Sequence, residues 1–195
     1  MMEGPGVIEF GDGWMQMSSA LVDGRPKGHI VHWCPKDFPE RFVAEWEVRI
    51  VSESGLNIVF FAARGEHGED IFDPGLPERT GVFSQYVRGA IVSYHISYYA
   101  NVRITSNLRK NNKFYLVANG PPGIFPRDHE WHRIRLIKDG AHIQLLCDDR
   151  LIIDHLDDGL RYGPVHGAGK IGFRQMEPTT GRYRNLRVWE LLPPQ

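Results

Sequence analysis

Apolar and polar side chains alternate with a period of two along most hydrophobic stretches of this chain, and a helical period occurs almost nowhere. In "RFVAEWEVRIV", Phe42, Ala44, Trp46, Val48 and Ile50 fall on one side, and Glu45, Glu47 and Arg49 on the other. Successive side chains of a strand point to opposite faces, so this reads as a half-buried strand. "LNIVFFAA" is apolar on both sides, which predicts a central strand. "HRIRLIKDGAHIQLLCDDRLIIDHL" predicts three strands with tight turns at Asp139-Gly140 and Asp148-Asp149. "GKIGFRQM" and "YRNLRVWEL" close the chain as two more.

On the order of ten short strands emerge, punctuated by Gly, Pro and Asp, and they argue an all-β, two-sheet antiparallel sandwich or jelly roll. The chain of 195 residues suits one substantial core, and no repeat, low-complexity tract or linker divides it, so residues 1–195 read as a single domain. One stretch breaks the rhythm. "RGEHGEDIFDPGLPERTG", residues 64–81, is a long polar loop, and Phe72, Pro74 and Leu76 predict that it is packed.

With 23 basic and 24 acidic side chains the formal charge is −1. That balance offers no field to hold a nucleic-acid backbone or an anionic membrane, so neither is expected as a partner. Cys34 and Cys147 make no disulfide framework and are expected as free thiols. The N-terminal "MMEGPGVIEFGDGW" has no basic segment followed by an apolar run, and no run has the length of a membrane span. A soluble, cytoplasmic protein is expected, and the composition says nothing about oligomeric state.

The most informative stretch is "IVSYHISYYANVRITSNLRK", residues 91–110. Alternation puts Ser93, His95, Ser97 and Tyr99 on one face and the more apolar Tyr94, Ile96 and Tyr98 on the other. The next strand groups Thr105, Asn107 and Arg109. If the strands adjoin, His95, Ser97, Tyr99, Asn107 and Arg109 share an open face. An aromatic ring, an amide, an imidazole and a guanidinium suit sugar hydroxyls, and Arg109 can fork onto a uronate carboxylate. The competing reading is a solvated strand face with a satisfied histidine.

Several segments together carry a resemblance: "WCPKDFP" at 33–39, "FFAARGEHGEDIFDPGLPERTG" at 60–81, "HISYY" at 95–99, "NLRK" at 107–110, and "DDGLRYGP" with "GKIGFRQM" at 157–176. In order and spacing the chain resembles the YesU-like family, bacterial domains of unknown function with a concanavalin A-like lectin/glucanase fold, over about residues 31–185. The resemblance implies a jelly roll of two curved antiparallel sheets. It also implies a place in plant cell-wall polysaccharide use, notably of rhamnogalacturonan.

Glu69 and Asp70 belong to that family's Gly-Glu-Asp segment and are kept as binding candidates; the reading from residues alone is solvated charge, or an ion pair with Arg79 that fixes the loop. Trp33 suits stacking on a pyranose at a sandwich rim, or core packing. Glucanases of this fold carry Glu-x-Asp-x-x-Glu on one strand. "EWE" at 45–47 lacks the third acid and reads as a solvated face. His29 and His32 of "HIVHWC" point to opposite faces and cannot chelate together, so no metal is expected. No nucleophile elbow, phosphate loop or dinucleotide fingerprint is present, and no cofactor is expected.

Three functions compete. The first is binding or processing of small, uronate-containing plant cell-wall oligosaccharides. The second is a β-eliminating lyase, with Arg109 and Asn107 or Gln175 neutralising the carboxylate, His95 as base and Tyr99 as acid. The third is a non-catalytic accessory or assembly protein. A lyase releases an unsaturated sugar that absorbs in the near ultraviolet, whereas a binder gives only ligand stabilisation.

Overall fold

The computed structural model describes residues 1–19, 21–22, 25–26 and 28–192. In chain order the first strands are β1 (Met2–Glu3), β2 (Gly6–Gly11), β3 (Trp14–Ser19), β4 (Leu21–Val22), β5 (Arg25–Pro26) and β6 (Ile30–Trp33). The long β7 (Arg41–Ile50) and β8 (Leu56–Gly65) precede a single helical turn, α1 (Ser84–Val87). Then come β9 (Ile91–Ala100), β10 (Ser106–Asn111), β11 (Tyr115–Gly120) and β12 (Trp131–Asp139). The last are β13 (His142–Cys147), β14 (Arg150–Leu156), β15 (Lys170–Met176) and β16 (Thr180–Glu190).

These strands form an all-β sandwich. The front sheet runs β1-β6-β15-β8-β9-β10-β11 and the back sheet β14-β13-β12-β7-β16-β3-β2, with every neighbouring pair antiparallel. Among the described residues no helix is long and apolar enough to cross a membrane. Cys34 and Cys147 are unbridged, as expected.

The alternation in β7 does what its sequence dictates. Phe42, Ala44, Trp46, Val48 and Ile50 are buried between the sheets, where they meet Val59, Phe61, Tyr94 and Ile96 of the front sheet. Trp46 sits 6.0 Å from the Tyr98 ring and 5.1 Å from the Phe173 ring. Burying side chains of this size stabilises the fold by about 2–3 kcal/mol each. On the opposite face of β7, Glu45 accepts from Arg135 at 3.0 Å and Glu47 pairs with Arg184. "EWE" is therefore an ion-paired exterior, not a catalytic pair.

Turn chemistry holds with one slip. Asp148 and Asp149 take φ of 49° and 64°, the consecutive left-handed pair of a primed hairpin turn. At the other bend Asp139 still pairs with His142, so the turning residues are Gly140-Ala141, one later than expected. On one side β11 approaches β14 so closely that a Cβ on Gly120 would lie 1.7 Å from the Ile152 carbonyl oxygen. Only glycine lets the two backbones come that near.

β8 is buried on both faces, but for a reason its sequence does not state. Its inner side chains belong to the core between the sheets. Its outer ones, Ile58, Phe60 and Ala63, lie under Ile71, Tyr86 and Val87 of the segment linking β8 to β9. That segment is packed, as Phe72 and Leu76 led us to expect. Arg79 ties it to Glu3 at 2.6 Å and Asp70 ties it to Lys170 at 2.7 Å. It covers the part of the front sheet around β6, β15 and β8. Beyond it, in the more open half over β9–β11, His95, Ser97 and Asn107 are themselves buried, while Arg109 is half-buried and Leu116, Asn119 and Arg103 are exposed.

Candidate functional site

Outward-facing residues of the front sheet fall into rows that cross its strands. One row runs Val31, Arg174, Ile58, Ser97, Asn107 and Asn119; the next runs Trp33, Gly172, Phe60, His95, Arg109 and Leu116. His95, Ser97, Asn107 and Arg109 therefore share one face, as alternation predicts.

His95 stands at the boundary between the covered and open halves. It is buried among Phe60 (ring centroids 5.4 Å apart), Phe83 (6.3 Å) and Phe114 (5.8 Å). Asn111 Nδ2 lies 3.0 Å from His95 Nδ1, so in this orientation Nδ1 accepts and the ring proton sits on Nε2. Burial pushes its pKa down to about 3, and the nearby guanidiniums of Arg109, Arg174 and Arg103 add to the effect. His95 is therefore neutral at physiological pH. The expectation of a general base is corrected, because His95 is buried and its affinity for protons is low.

The cations around it are the main feature of the site. The Arg109 guanidinium carbon lies 3.9 Å from the Phe114 centroid and that of Arg88 lies 5.8 Å from it. Arg103, from the β9–β10 connection, donates to Ser97 Oγ. Arg174 is fully buried, under Phe83 and Tyr86. Among the described residues none of these arginines makes a salt bridge. Asn119 and Asn107 are hydrogen-bonded to each other beside them, and a depression of about 590 Å³ borders Arg103 at the rim. No carboxylate stands in either row. The open half is a cationic, amide-bearing surface with an aromatic ring at its centre, suited to an anion that also carries hydroxyls.

Several expected site residues lie elsewhere. Between Ser97 and Tyr99 the pairing with β8 slips by one residue, Ile58 opposing Ser97 but Asn57 opposing Tyr99. This bulge turns Tyr99 away from the open face and into the core between the sheets, so it cannot serve as an acid beside His95. Gln175 is also inward, 2.9 Å from the Tyr183 hydroxyl. Trp33 is buried against Phe60, its Nε1 donating to Glu3 at 3.0 Å, and is a packing residue. Arg79 is a strut of the covering segment, pairing with Glu3 rather than with Glu69 or Asp70. Asp70 is held by Lys170, and Glu69 accepts from the His67 amide at 2.9 Å, so both carboxylates brace the segment.

Arg88, Arg103, Arg174 and Phe114 were not anticipated. For Arg174 a signal existed: Ile171, Phe173 and Gln175 share one parity of β15, which leaves Arg174 to point outward. Phe114 takes φ of 59° in the β10–β11 turn, which swings its ring back onto the face. As for metals, the liganding atoms of His132, Cys147 and Asp148 lie within 4.8 Å of one another at the end of the back sheet. There Asp148 already holds His132 Nδ1 at 2.7 Å.

The comparisons place the family and agree with the fold. A family model described as a domain of unknown function (DUF1961) matches residues 1–188. The uncharacterized protein YesU of Bacillus subtilis (strain 168) is 40% identical over 195 residues, covering 96% of this chain and 87% of that protein. A crystal structure of a Bacillus subtilis protein of unknown function with a galectin-like fold superposes with a TM-score of 0.91 at 39% identity, covering 97% of this chain and 88% of that one. The carbohydrate binding module CBM66 of Bacillus subtilis superposes with a TM-score of 0.63 at 16% identity, covering 97% of each chain.

Proposed function

We propose that this chain, which belongs to the DUF1961 family, binds an acidic oligosaccharide on the open half of its front sheet. The observation that carries the reading is the cluster of Arg88, Arg103 and Arg109 around Phe114 and Ser97, with no salt bridge to a carboxylate among the described residues. Guanidiniums held in one place fit a carboxylate, and the exposed Asn119 amide supplies a donor and an acceptor for ring hydroxyls, with the buried Ser97 and Asn107 holding Arg103 and Asn119 in position. The fold shared with a carbohydrate binding module supports sugar as the ligand class. Uronate-containing fragments of plant cell-wall polysaccharide, rhamnogalacturonan among them, are the ligands proposed.

The same geometry favours binding over turnover. Elimination beside a uronate needs a base for the C5 proton and an acid at the leaving oxygen. His95 is buried with a lowered affinity for protons, and Tyr99 lies in the core. Hydrolysis needs a pair of carboxyl groups flanking the bond. The open rows hold none.

A thermal-shift screen against rhamnogalacturonan, pectin and alginate oligosaccharides, read in parallel for near-ultraviolet absorbance, tests the reading. Stabilisation by acidic oligosaccharides without new absorbance is the expected result. Equal stabilisation by neutral analogues would remove the arginines from the explanation, and growing absorbance would make the protein a lyase.

A further inference from the structure

Arg174 has no structural partner equal to its charge. Its side chain is 0% exposed, and Nη2 donates to the Gly81 carbonyl at 2.9 Å. Nε and Nη1 have no hydrogen-bond partner among the described residues. Its compensation is the faces of Tyr86 and Phe83, 4.7 and 5.1 Å from the guanidinium carbon. Cation–π contacts offset part of the cost of burial, and the Glu3 carboxylate pulls on the charge from nearby, but Glu3 is paired with Arg79 and forms no salt bridge with Arg174, so the buried charge is only partly compensated. Burial lowers its pKa to about 10 against the pull of Tyr86 and Glu3, so it stays charged at neutral pH.

Arg174 is covered by a short turn, residues 82–88, set between Gly81 and Gly89. Gly81 takes φ of 88°, where a side chain is strained, and a Cβ there would meet the His29 carbonyl oxygen at 2.4 Å. Phe83 of this turn contacts both Arg174 and His95, and so divides the covered from the open half of the face. Without it, Arg174 would continue the row that holds Ser97 and Asn107.

We propose that Arg174 is a second acid-binding subsite, reached when the 82–88 turn lifts, and that the ligand therefore carries acidic groups on more than one sugar ring. The inference rests on the binding reading above. Three strand spacings separate Arg174 from Asn107, roughly 14 Å, which exceeds the reach of one pyranose but not that of a chain of them. A ligand carboxylate in the Arg174 fork takes up Nε and Nη1, the donors that the protein leaves unmatched.

Calorimetric titration with galacturonic acid and with its linear tetramer tests this on the wild type, Arg174→Met, Arg109→Met and Phe83→Ala. The wild type should bind the tetramer at least about tenfold more tightly than the monomer. Arg174→Met should keep monomer affinity, lose about that tenfold preference, and melt no lower than the wild type. Phe83→Ala, which opens the cover and keeps the Arg174 guanidinium while removing one of the two rings that face it, should bind the tetramer more tightly. If Arg109→Met loses binding while Arg174→Met keeps full tetramer affinity, Arg174 is a packing residue and the inference fails while the site reading stands. Should Arg174→Met not fold, unchanged tetramer affinity in Phe83→Ala overturns the inference equally well. A wild type that binds neither probe removes both readings together.

Discussion

The Arg109 guanidinium lies over the Phe114 ring, 3.9 Å from its centroid, while its Nη1 donates to the Phe114 carbonyl at 3.1 Å. One side chain thus holds a left-handed turn closed and presents a charge to the open face. Arg109→Ala should cost about 2 kcal/mol in acidic-sugar binding, the scale of a charge-assisted hydrogen bond. The loss in stability should be smaller, about 1 kcal/mol, because the stacked pair is half-exposed. Calorimetry beside urea unfolding separates the two, and unchanged binding in the variant would take Arg109 out of the site.

His95 makes stability depend on pH in a direction that can be worked out. Its folded pKa of about 3 lies below the ordinary value of 6.5, so between these limits the unfolded chain binds more protons than the folded one. The stabilisation is complete above pH 6.5 and is lost as pH falls. At pH 5 the His95 contribution has dropped by about 2 kcal/mol. His166, driven down to about 4 chiefly by burial, acts in the same direction. His95→Gln should flatten the fall in unfolding free energy between pH 7 and pH 5. An identical slope in wild type and variant would mean that His95 titrates in the folded protein as it does in the unfolded chain.

Much of this was legible in the sequence, and the failures are local. Period two gave the inward face of β7 and the outward placing of His95, Ser97, Asn107 and Arg109, because a sheet buried on one side enforces that period. It failed at Tyr99, where a bulge adds a residue and reverses the parity of the strand beyond Ser97. Gln175 shares the parity of the inward Ile171 and Phe173, so the strand period itself argues against placing it on the outer face. No local pattern reveals that residues 64–90 fold over Trp33 and Phe60, since that contact joins segments far apart in the chain. The apolar outer face of β8 was its one trace.

Lys110 and Asp157 form a pair 2.7 Å apart, with side chains 2% and 5% exposed. Lys110 Nζ also donates to the Gly163 carbonyl at 2.7 Å, and the Tyr94 hydroxyl donates to Asp157. Asp157→Asn strands the ammonium in the interior and should cost about 3–5 kcal/mol in urea unfolding. Adding Lys110→Met should recover part of that loss, since the double variant buries no lone charge. If the two losses simply add, the pair is not coupled as its geometry requires.

The last expectation concerns the arginines as a group. Arg88 and Arg109 share one aromatic ring, Arg103 stands at the rim, and none forms a salt bridge among the described residues. Like charges held this close destabilise the folded state unless an anion joins them, and the extended unfolded chain is spared that repulsion. An anion that binds only the folded protein stabilises it by mass action: at tenfold its dissociation constant the gain is about 1.4 kcal/mol. For a domain of this size that raises the melting temperature by about 3–5 °C. Sulfate should therefore raise the melting temperature more than chloride does at equal ionic strength. Sulfate also stabilises proteins through exclusion from their surfaces, so the decisive comparison is with Arg103→Ala/Arg109→Ala. That double variant should keep the general effect and lose the excess. An excess of the same size in both proteins would show that the arginines do not form an anion site, and the acidic sugar would lose its anchor with them.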